Sequence, residues 1–260
     1  MSGEIIGQAY SYQLLEELGS GLSSCVFKAL RYDKGKYFED LVALKILNSQ
    51  TLDRLMKQEM VSLRAVSSPN LANMVAWDFC DGRPILVFEY VESVSLKQLV
   101  GRHELSLEEI SELLRQIQQG LMDLSQAGVC HGDLSPENIL IDCRGRVRLI
   151  DYGLGNVLGR LGTQPYVAPE VEQGVWANPT SDLFSLSVIG WELLKDRAGS
   201  TQVESCLWIW QSPAPSNRTW QKIEMDPCSP LSLAKKVQSL IHGGARTTQP
   251  LPSVYLSDFR

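Results

Sequence analysis

Two charged residues lie where the surrounding sequence is apolar, and together they constrain the fold of this chain. Lys45 lies inside the apolar segment 41–47, which is typical of a buried strand. Glu59 lies on the apolar stripe of a predicted helix over 49–66, whose apolar residues recur at the i, i+3, i+4 spacing. A buried charge is costly without a partner. The sequence therefore predicts a fold in which Lys45 and Glu59 meet.

The pattern along the chain predicts a strand-rich N-terminal third and a helical remainder. Strands are expected over seven segments: 12–18, 25–30, 41–47, 74–79, 84–91, 139–141 and 147–150. Ser106 and Glu109 form a capping-box pattern that begins a helix, and Gly128 ends it. A second helix over 182–194 is apolar on nearly every side and should be buried all round. No linker composition divides the chain, so we expect a single α+β domain over 1–260.

Composition and charge exclude several functional classes. The chain has 260 residues, 44% of them hydrophobic, and 24 basic against 30 acidic residues give a net charge of −6. Such a chain is a poor general binder of nucleic acid or anionic membrane. The six cysteines contain no C-x-x-C pair, which favours reduced thiols, and no apolar run approaches a membrane span. We therefore expect a cytoplasmic protein without nucleic-acid or membrane partners; the oligomeric state stays open.

Six separated motifs point to one family. They occupy segments 19–26, 42–45, 88–91, 131–138, 151–153 and 162–170. Segment 131–138 reads His-Gly-Asp-Leu-Ser-Pro-Glu-Asn, and it is followed by Asp-Tyr-Gly and later by Ala-Pro-Glu. In order and content these motifs resemble those of protein kinase catalytic domains.

The resemblance implies a bilobal fold. A small β-rich N-lobe with one key helix would cover about residues 1–88, a connector about 89–94, and a larger helical C-lobe about 95–260. The connector motif 88–91 would bind adenine through its backbone, with Phe88 at the back wall of the site.

The resemblance also implies an activity: transfer of phosphate from ATP to serine or threonine hydroxyls of a protein substrate, with Mg²⁺ as cofactor. Lys45, paired with Glu59, would hold the α- and β-phosphates, and Asp133 would accept the proton of the substrate hydroxyl. Asn138 and Asp151 would bind magnesium. The ATP-binding residues would be Leu18, Gly19, Gly21, Val26, Ala43, Lys45, Phe88, Glu89, Val91 and Leu140.

Other residues are assigned structural roles by the same resemblance: Tyr152, Gly153, Thr163, Glu170, Asp182 and Arg246. Glu170 would pair with Arg246, and Asp182 would accept hydrogen bonds from the backbone of the catalytic loop. His131 would pack beside Tyr152 rather than act as a base.

Departures from the family pattern keep other functions open. Ser24 replaces the third glycine of the phosphate loop, and Ser135 replaces a lysine that stabilises the transferred phosphoryl group in serine/threonine kinases. These changes motivate a nucleotide-binding pseudokinase scaffold as one alternative. The string at 131–138 also resembles small-molecule kinases of the aminoglycoside and choline kinase type, which is another.

Regulation by phosphorylation is not expected for the loop 154–167. Its only hydroxyl-bearing side chains are Thr163 and Tyr166, and Gly132 replaces the arginine that reads a loop phosphate in many kinases. The sequence therefore predicts activity without activation-loop phosphorylation.

Overall fold

The computed structural model describes residues 3–20, 24–33, 39–48, 54–153, 162–195 and 231–243. They belong to two compact units, one within 1–65 and 72–91 and the other within 66–71 and 92–244. The first unit is rich in strands and the second in helices, which is the predicted α+β class.

The first unit is built on a six-stranded antiparallel sheet of order β1-β2-β3-β4-β6-β5. The five strands predicted here are all present, with one helix, and one further strand precedes them. Their bounds are β1 (Glu4–Ile6), β2 (Tyr10–Ser20), β3 (Ser24–Asp33), β4 (Glu39–Leu47), α1 (Arg54–Ala65), β5 (Met74–Cys80) and β6 (Arg83–Glu89). Strand β6 ends at Glu89, two residues before the predicted end at residue 91. Helix α1 ends at Ala65, one residue before the predicted end at residue 66.

One face of this sheet forms an apolar core. Side chains alternate between the two faces of a strand, so every second residue of each strand faces the same side of the sheet. Tyr12, Phe27, Leu44 and Val87 belong to this core and are each at most 1% exposed. The opposite face is therefore left for other contacts, and Lys45 lies on it.

Strand β1 was not predicted, because three residues carry too little pattern to be recognised. A buried carboxylate, Asp78 in β5, holds the chain next to this strand. Its oxygens accept hydrogen bonds from the backbone N–H groups of Gln8 (2.9 Å), Ala9 (3.1 Å), Tyr10 (3.0 Å) and Phe79 (2.8 Å), and from the hydroxyl of Tyr12 (3.2 Å). A Cβ on Gly7 would lie 2.1 Å from Asp78 Oδ2, so only glycine fits this close approach.

We predict that Asp78→Asn lowers the free energy of unfolding by about 2–4 kcal/mol, because an amide leaves buried N–H donors without acceptors. Denaturant unfolding followed by circular dichroism measures this. Asp81→Asn is the matched control: Asp81 is exposed in the next turn and should change stability by no more than about 0.5 kcal/mol. Equal effects of the two substitutions would show that the Asp78 contacts contribute little.

The second unit combines helices with a small three-stranded sheet of order β7-β8-β9. Its elements are β7 (Ser93–Ser95), α2 (Leu96–Val100), α3 (Leu107–Gln126), β8 (Ile139–Asp142), β9 (Val147–Leu149), α4 (Pro169–Glu172), α5 (Pro179–Leu194) and α6 (Leu231–Gly243). No helix among the described residues is both long and apolar enough to cross a membrane.

The predicted capping box of α3 is confirmed. Glu109 Oε2 accepts from the Ser106 N–H at 2.7 Å, and Ser106 Oγ accepts from the Glu109 N–H at 3.3 Å. Lys236 of α6 adds an ion pair to the same carboxylate at 2.6 Å. The helix ends shortly before Gly128, as predicted.

Helix α5 is longer than predicted. It begins at Pro179 with Asn178 as N-cap, whereas the sequence pattern predicts a start at residue 182. Asn followed by Pro is a strong start signal, but the apolar pattern becomes clear only further on. Residues 181–190 are all buried, in agreement with the predicted apolar helix.

Candidate active site

In the first unit, the strand register brings several predicted nucleotide-binding residues to one face of the sheet. Gly19 lies opposite Val26, Val26 opposite Lys45, and Ala43 opposite Phe88. Directly opposed residues project to the same face, as do residues two apart in one strand. These five residues therefore share the face that the apolar core does not use.

Lys45 is 2% exposed on this face, so its charge requires compensation. The predicted partner Glu59 lies in α1, but its side chain is outside the part of the chain that the structure describes. The Lys45–Glu59 ion pair therefore stays a prediction.

Phe88 and Glu89 end β6, where the connector was expected. Glu89 is fixed by Asn73: its carboxylate accepts from the Asn73 N–H at 2.8 Å and from Nδ2 at 3.0 Å, and its own N–H donates to Asn73 O at 3.0 Å. Leu18 is 44% exposed at the end of β2, and Val91 is half-buried beyond β6. Gly21 lies outside the described residues, and Leu140 lies in β8 of the second unit.

In the second unit, hydrogen bonds hold both the carboxylate and the backbone carbonyl of Asp133. Thr163 Oγ1 donates to Asp133 Oδ1 at 2.8 Å. Asn138 Nδ2 donates to the backbone carbonyl of Asp133, also at 2.8 Å. All three residues are half-buried, so the carboxylate is oriented by its neighbours and still reachable from solvent.

Asp151 and Asn138 are brought together by the backbone. The N–H of Ile150, which precedes Asp151, donates to Asn138 O at 3.0 Å, and the N–H of Gly153 donates to His131 O at 3.1 Å. Asp151 has a φ of 59°, a left-handed conformation that is uncommon outside glycine and often occurs at functional sites.

These side chains fit magnesium, which prefers oxygen ligands and few carboxylates. Asn138 uses its amide nitrogen on the Asp133 carbonyl, which leaves its amide oxygen as the atom available to a cation. Among the described residues, no group of three or more His, Cys, Asp or Glu is arranged to hold a metal. One Asp and one Asn, with substrate phosphates as further ligands, match this donor set.

Asp182 of α5 is hydrogen-bonded to the backbone of the catalytic loop, which comprises residues 131–138. Its carboxylate accepts from the His131 N–H at 2.7 Å and from the Gly132 N–H at 2.9 Å. These are the two backbone hydrogen bonds expected for Asp182 from the family resemblance. His131 also lies beside Tyr152, with ring centroids 6.3 Å apart and both side chains at most 1% exposed.

Burial raises the pKa of the Asp182 carboxyl to about 7, although the two backbone N–H groups act in the opposite direction. The folded chain thus retains a proton that an unfolded Asp, with a pKa of about 4, has released. The free energy of unfolding should fall by up to about 4 kcal/mol as the pH rises from about 4 to about 7.

We predict that Asp182→Asn removes this part of the pH dependence. Unfolding by urea at several pH values between 4 and 8 measures it for both proteins. The difference in the free energy of unfolding between wild type and variant should change with pH over that window. Parallel curves would contradict the prediction.

Gly132 has a φ of 80°, a left-handed conformation that favours glycine. Glycine at this position therefore avoids the strain that a larger side chain would carry. Tyr166, near the end of the loop 154–167, donates its hydroxyl to Glu192 at 2.8 Å. Burial, together with the Glu192 bond, raises the pKa of Tyr166, so this hydroxyl stays protonated.

Glu170 lies in α4, whereas Arg246 is outside the described residues, so their pairing stays a prediction.

Helix α2 and its contacts with the catalytic loop were not predicted from the sequence. Ser135 is 1% exposed and lies two positions before Glu137, whose carboxylate is exposed. Lys97 of α2 forms an ion pair with the same carboxylate at 2.6 Å. The signal for α2 was available: Ser95 and Gln98 form a capping box.

Comparison with known proteins agrees with this geometry. The family model described as "Protein kinase domain" matches residues 12–242. The chain belongs to the protein kinase family.

Curated relatives are named serine/threonine kinases. The probable serine/threonine-protein kinase pknA2 of Bifidobacterium longum is 27% identical over 201 residues, which is 70% of this chain and 26% of the relative. PrkC of Bacillus subtilis is 28% identical over 236 residues, which is 83% of this chain and 36% of the relative. PknL of Mycobacterium tuberculosis is 33% identical over 200 residues, which is 70% of this chain and 49% of the relative. The matches thus span a quarter to a half of these relatives.

Proposed function

We propose that this chain transfers the γ-phosphate of ATP to serine or threonine hydroxyls of a protein substrate. The observation that carries the proposal is the setting of Asp133, whose carboxylate is oriented by Thr163 and whose backbone is held by Asn138. The names of the curated relatives support the same reaction class.

Asp133 is the acceptor for the substrate hydroxyl. Thr163 donates to Oδ1 and fixes the orientation of this carboxylate, which can accept the hydroxyl hydrogen and orient the hydroxyl oxygen toward phosphorus. Phosphoryl transfer depends mainly on positioning and electrostatics, and a hydroxyl held by a fixed carboxylate supplies the positioning.

Lys45 supplies positive charge for the α- and β-phosphates from the nucleotide-binding face of the first unit. Asn138 and Asp151 would hold Mg²⁺, which when bound would neutralise charge on the phosphates. Ser135 supplies no cation where the family has lysine, and losing one preorganised group of this kind commonly costs on the order of 10²-fold in rate.

A pseudokinase scaffold is the second candidate, favoured by one observation: Ser135, which lies where the family has a lysine, is 1% exposed and carries no charge. A purified sample incubated with radiolabelled ATP and a mixed protein substrate separates the candidates. We expect label on protein serine or threonine. Nucleotide binding without any transfer would identify the pseudokinase, and label on a soluble small acceptor would identify a small-molecule kinase.

We predict that this activity needs no phosphate on the loop 154–167. The two hydroxyls of that loop are engaged, Thr163 with Asp133 and Tyr166 with Glu192, so a phosphate on either would face a carboxylate. The initial rate, measured before and after phosphatase treatment verified by intact mass, should stay within about twofold. A drop of tenfold or more on losing one phosphate from this loop would contradict the prediction.

A further inference from the structure

The ion pair between Lys97 and Glu137 lies beside the catalytic loop and is open to solvent. The Lys97 side chain is 67% exposed and that of Glu137 is 45% exposed, and Nζ lies 2.6 Å from Oε1. The backbone adds a second link, because the Lys97 N–H donates to Pro136 O at 3.1 Å. The first turn of α2 is thereby fixed to the loop that carries Asp133.

The two partners differ in how much hydrogen-bonding capacity remains. The Glu137 carboxylate can only accept hydrogen bonds, and its Oε1 already accepts one from the Lys97 ammonium. An ammonium has three donors, and among the described residues Lys97 Nζ contacts only Glu137. The unused donors of this pair therefore belong to the cation.

A substrate can reach this cation. Asp133, which would hold the phosphorylated hydroxyl, precedes Glu137 by four positions, and four extended residues span at most about 14 Å. A substrate side chain within about four residues of its own phosphorylated hydroxyl can cover the same distance. Because an exposed ion pair is weak, Lys97 can turn toward a second carboxylate at little cost.

We propose that Lys97 selects protein substrates that carry an acidic side chain within about four residues of the phosphorylated serine or threonine. This specificity rests on the proposed function, because it concerns the substrate of the same site. Glu137 positions the ammonium, and the substrate carboxylate accepts a hydrogen bond from one of its remaining N–H donors. A basic side chain at that place meets the ammonium and is disfavoured.

The test uses the full chain and a serine/threonine peptide library. One position at a time, within four residues on either side of the acceptor, is fixed as Glu, Gln or Lys. At one or more positions, wild type should show kcat/KM for the Glu peptide about tenfold above that for the Lys peptide, mainly through KM. Lys97→Gln should bring this ratio to about one, Lys97→Glu should reverse it, and Lys97→Arg should retain it.

Lys235→Glu is the matched control, because Lys235 is an exposed lysine of α6. It should leave the Glu-to-Lys ratio as in wild type. The proposal is overturned if wild type shows no charge preference, if Lys97→Gln keeps the wild-type ratio, or if it lowers transfer to every peptide equally. Failure of the proposed function is distinct: wild type would then label no peptide and no protein.

Discussion

Lys45→Met is expected to reduce kcat/KM for phosphoryl transfer by about 10²- to 10³-fold while the chain stays folded. Lys45 lies on the face of the sheet that also carries Gly19, Val26, Ala43 and Phe88, and its ammonium would stabilise phosphate charge. Methionine keeps most of the aliphatic length of lysine and removes the charge, so it preserves packing in this nearly closed environment.

The matched control is Lys28→Met, the same substitution on the neighbouring strand β3. Lys28 lies over the ring of Tyr90, 4.4 Å from its centroid, so its loss removes a weak contact. Transfer rates of both variants are measured together with their thermal unfolding. A Lys45→Met protein within about threefold of the wild-type rate would exclude the assigned role.

Asp133→Asn is expected to lower kcat by about 10³-fold and to leave nucleotide affinity within about threefold. Asparagine keeps an oxygen that can accept the Thr163 hydroxyl hydrogen, so the local geometry is retained. It cannot take up the proton of the substrate hydroxyl, so the transfer step is slowed. Single-turnover rates and nucleotide titration separate the two effects.

Asp123→Asn serves as the control for this variant. Asp123 also bonds through its carboxylate, to Ser68 and, at 2.8 Å, to Gln119, but it lies in α3. Its replacement should change the transfer rate by no more than about twofold. A loss of nucleotide affinity in Asp133→Asn that equals its loss of kcat would mean that Asp133 acts in binding.

Local sequence signals predicted the parts of this structure that local energetics decide. The residue pattern located five of the six strands of the first unit, and the Ser106–Glu109 pattern located the start of α3. The charged residue inside an apolar segment identified Lys45 as exceptional, and its strand register then placed it beside the other nucleotide-binding candidates.

Contacts between distant residues could not be predicted in the same way. Strand β1 is stabilised next to a carboxylate that bonds to the chain from 70 positions away in sequence. The Lys97–Glu137 pair joins residues 40 positions apart, and neither residue carries a pattern that names the other. Such contacts depend on how the elements pack, which single-sequence periodicity does not specify.

The carboxylate of Asp182 has a consequence for how this family member could diverge. It accepts hydrogen bonds from the backbone N–H groups of His131 and Gly132, and so contacts the backbone of the catalytic loop and not its side chains. The path of the loop is therefore set by helix α5, so the side chain at position 135 can be exchanged without moving it, whereas the φ of 80° at position 132 favours glycine. An enzyme built this way can trade a phosphate-reading arginine and a charge-stabilising lysine for smaller residues and still present Asp133 at the same place.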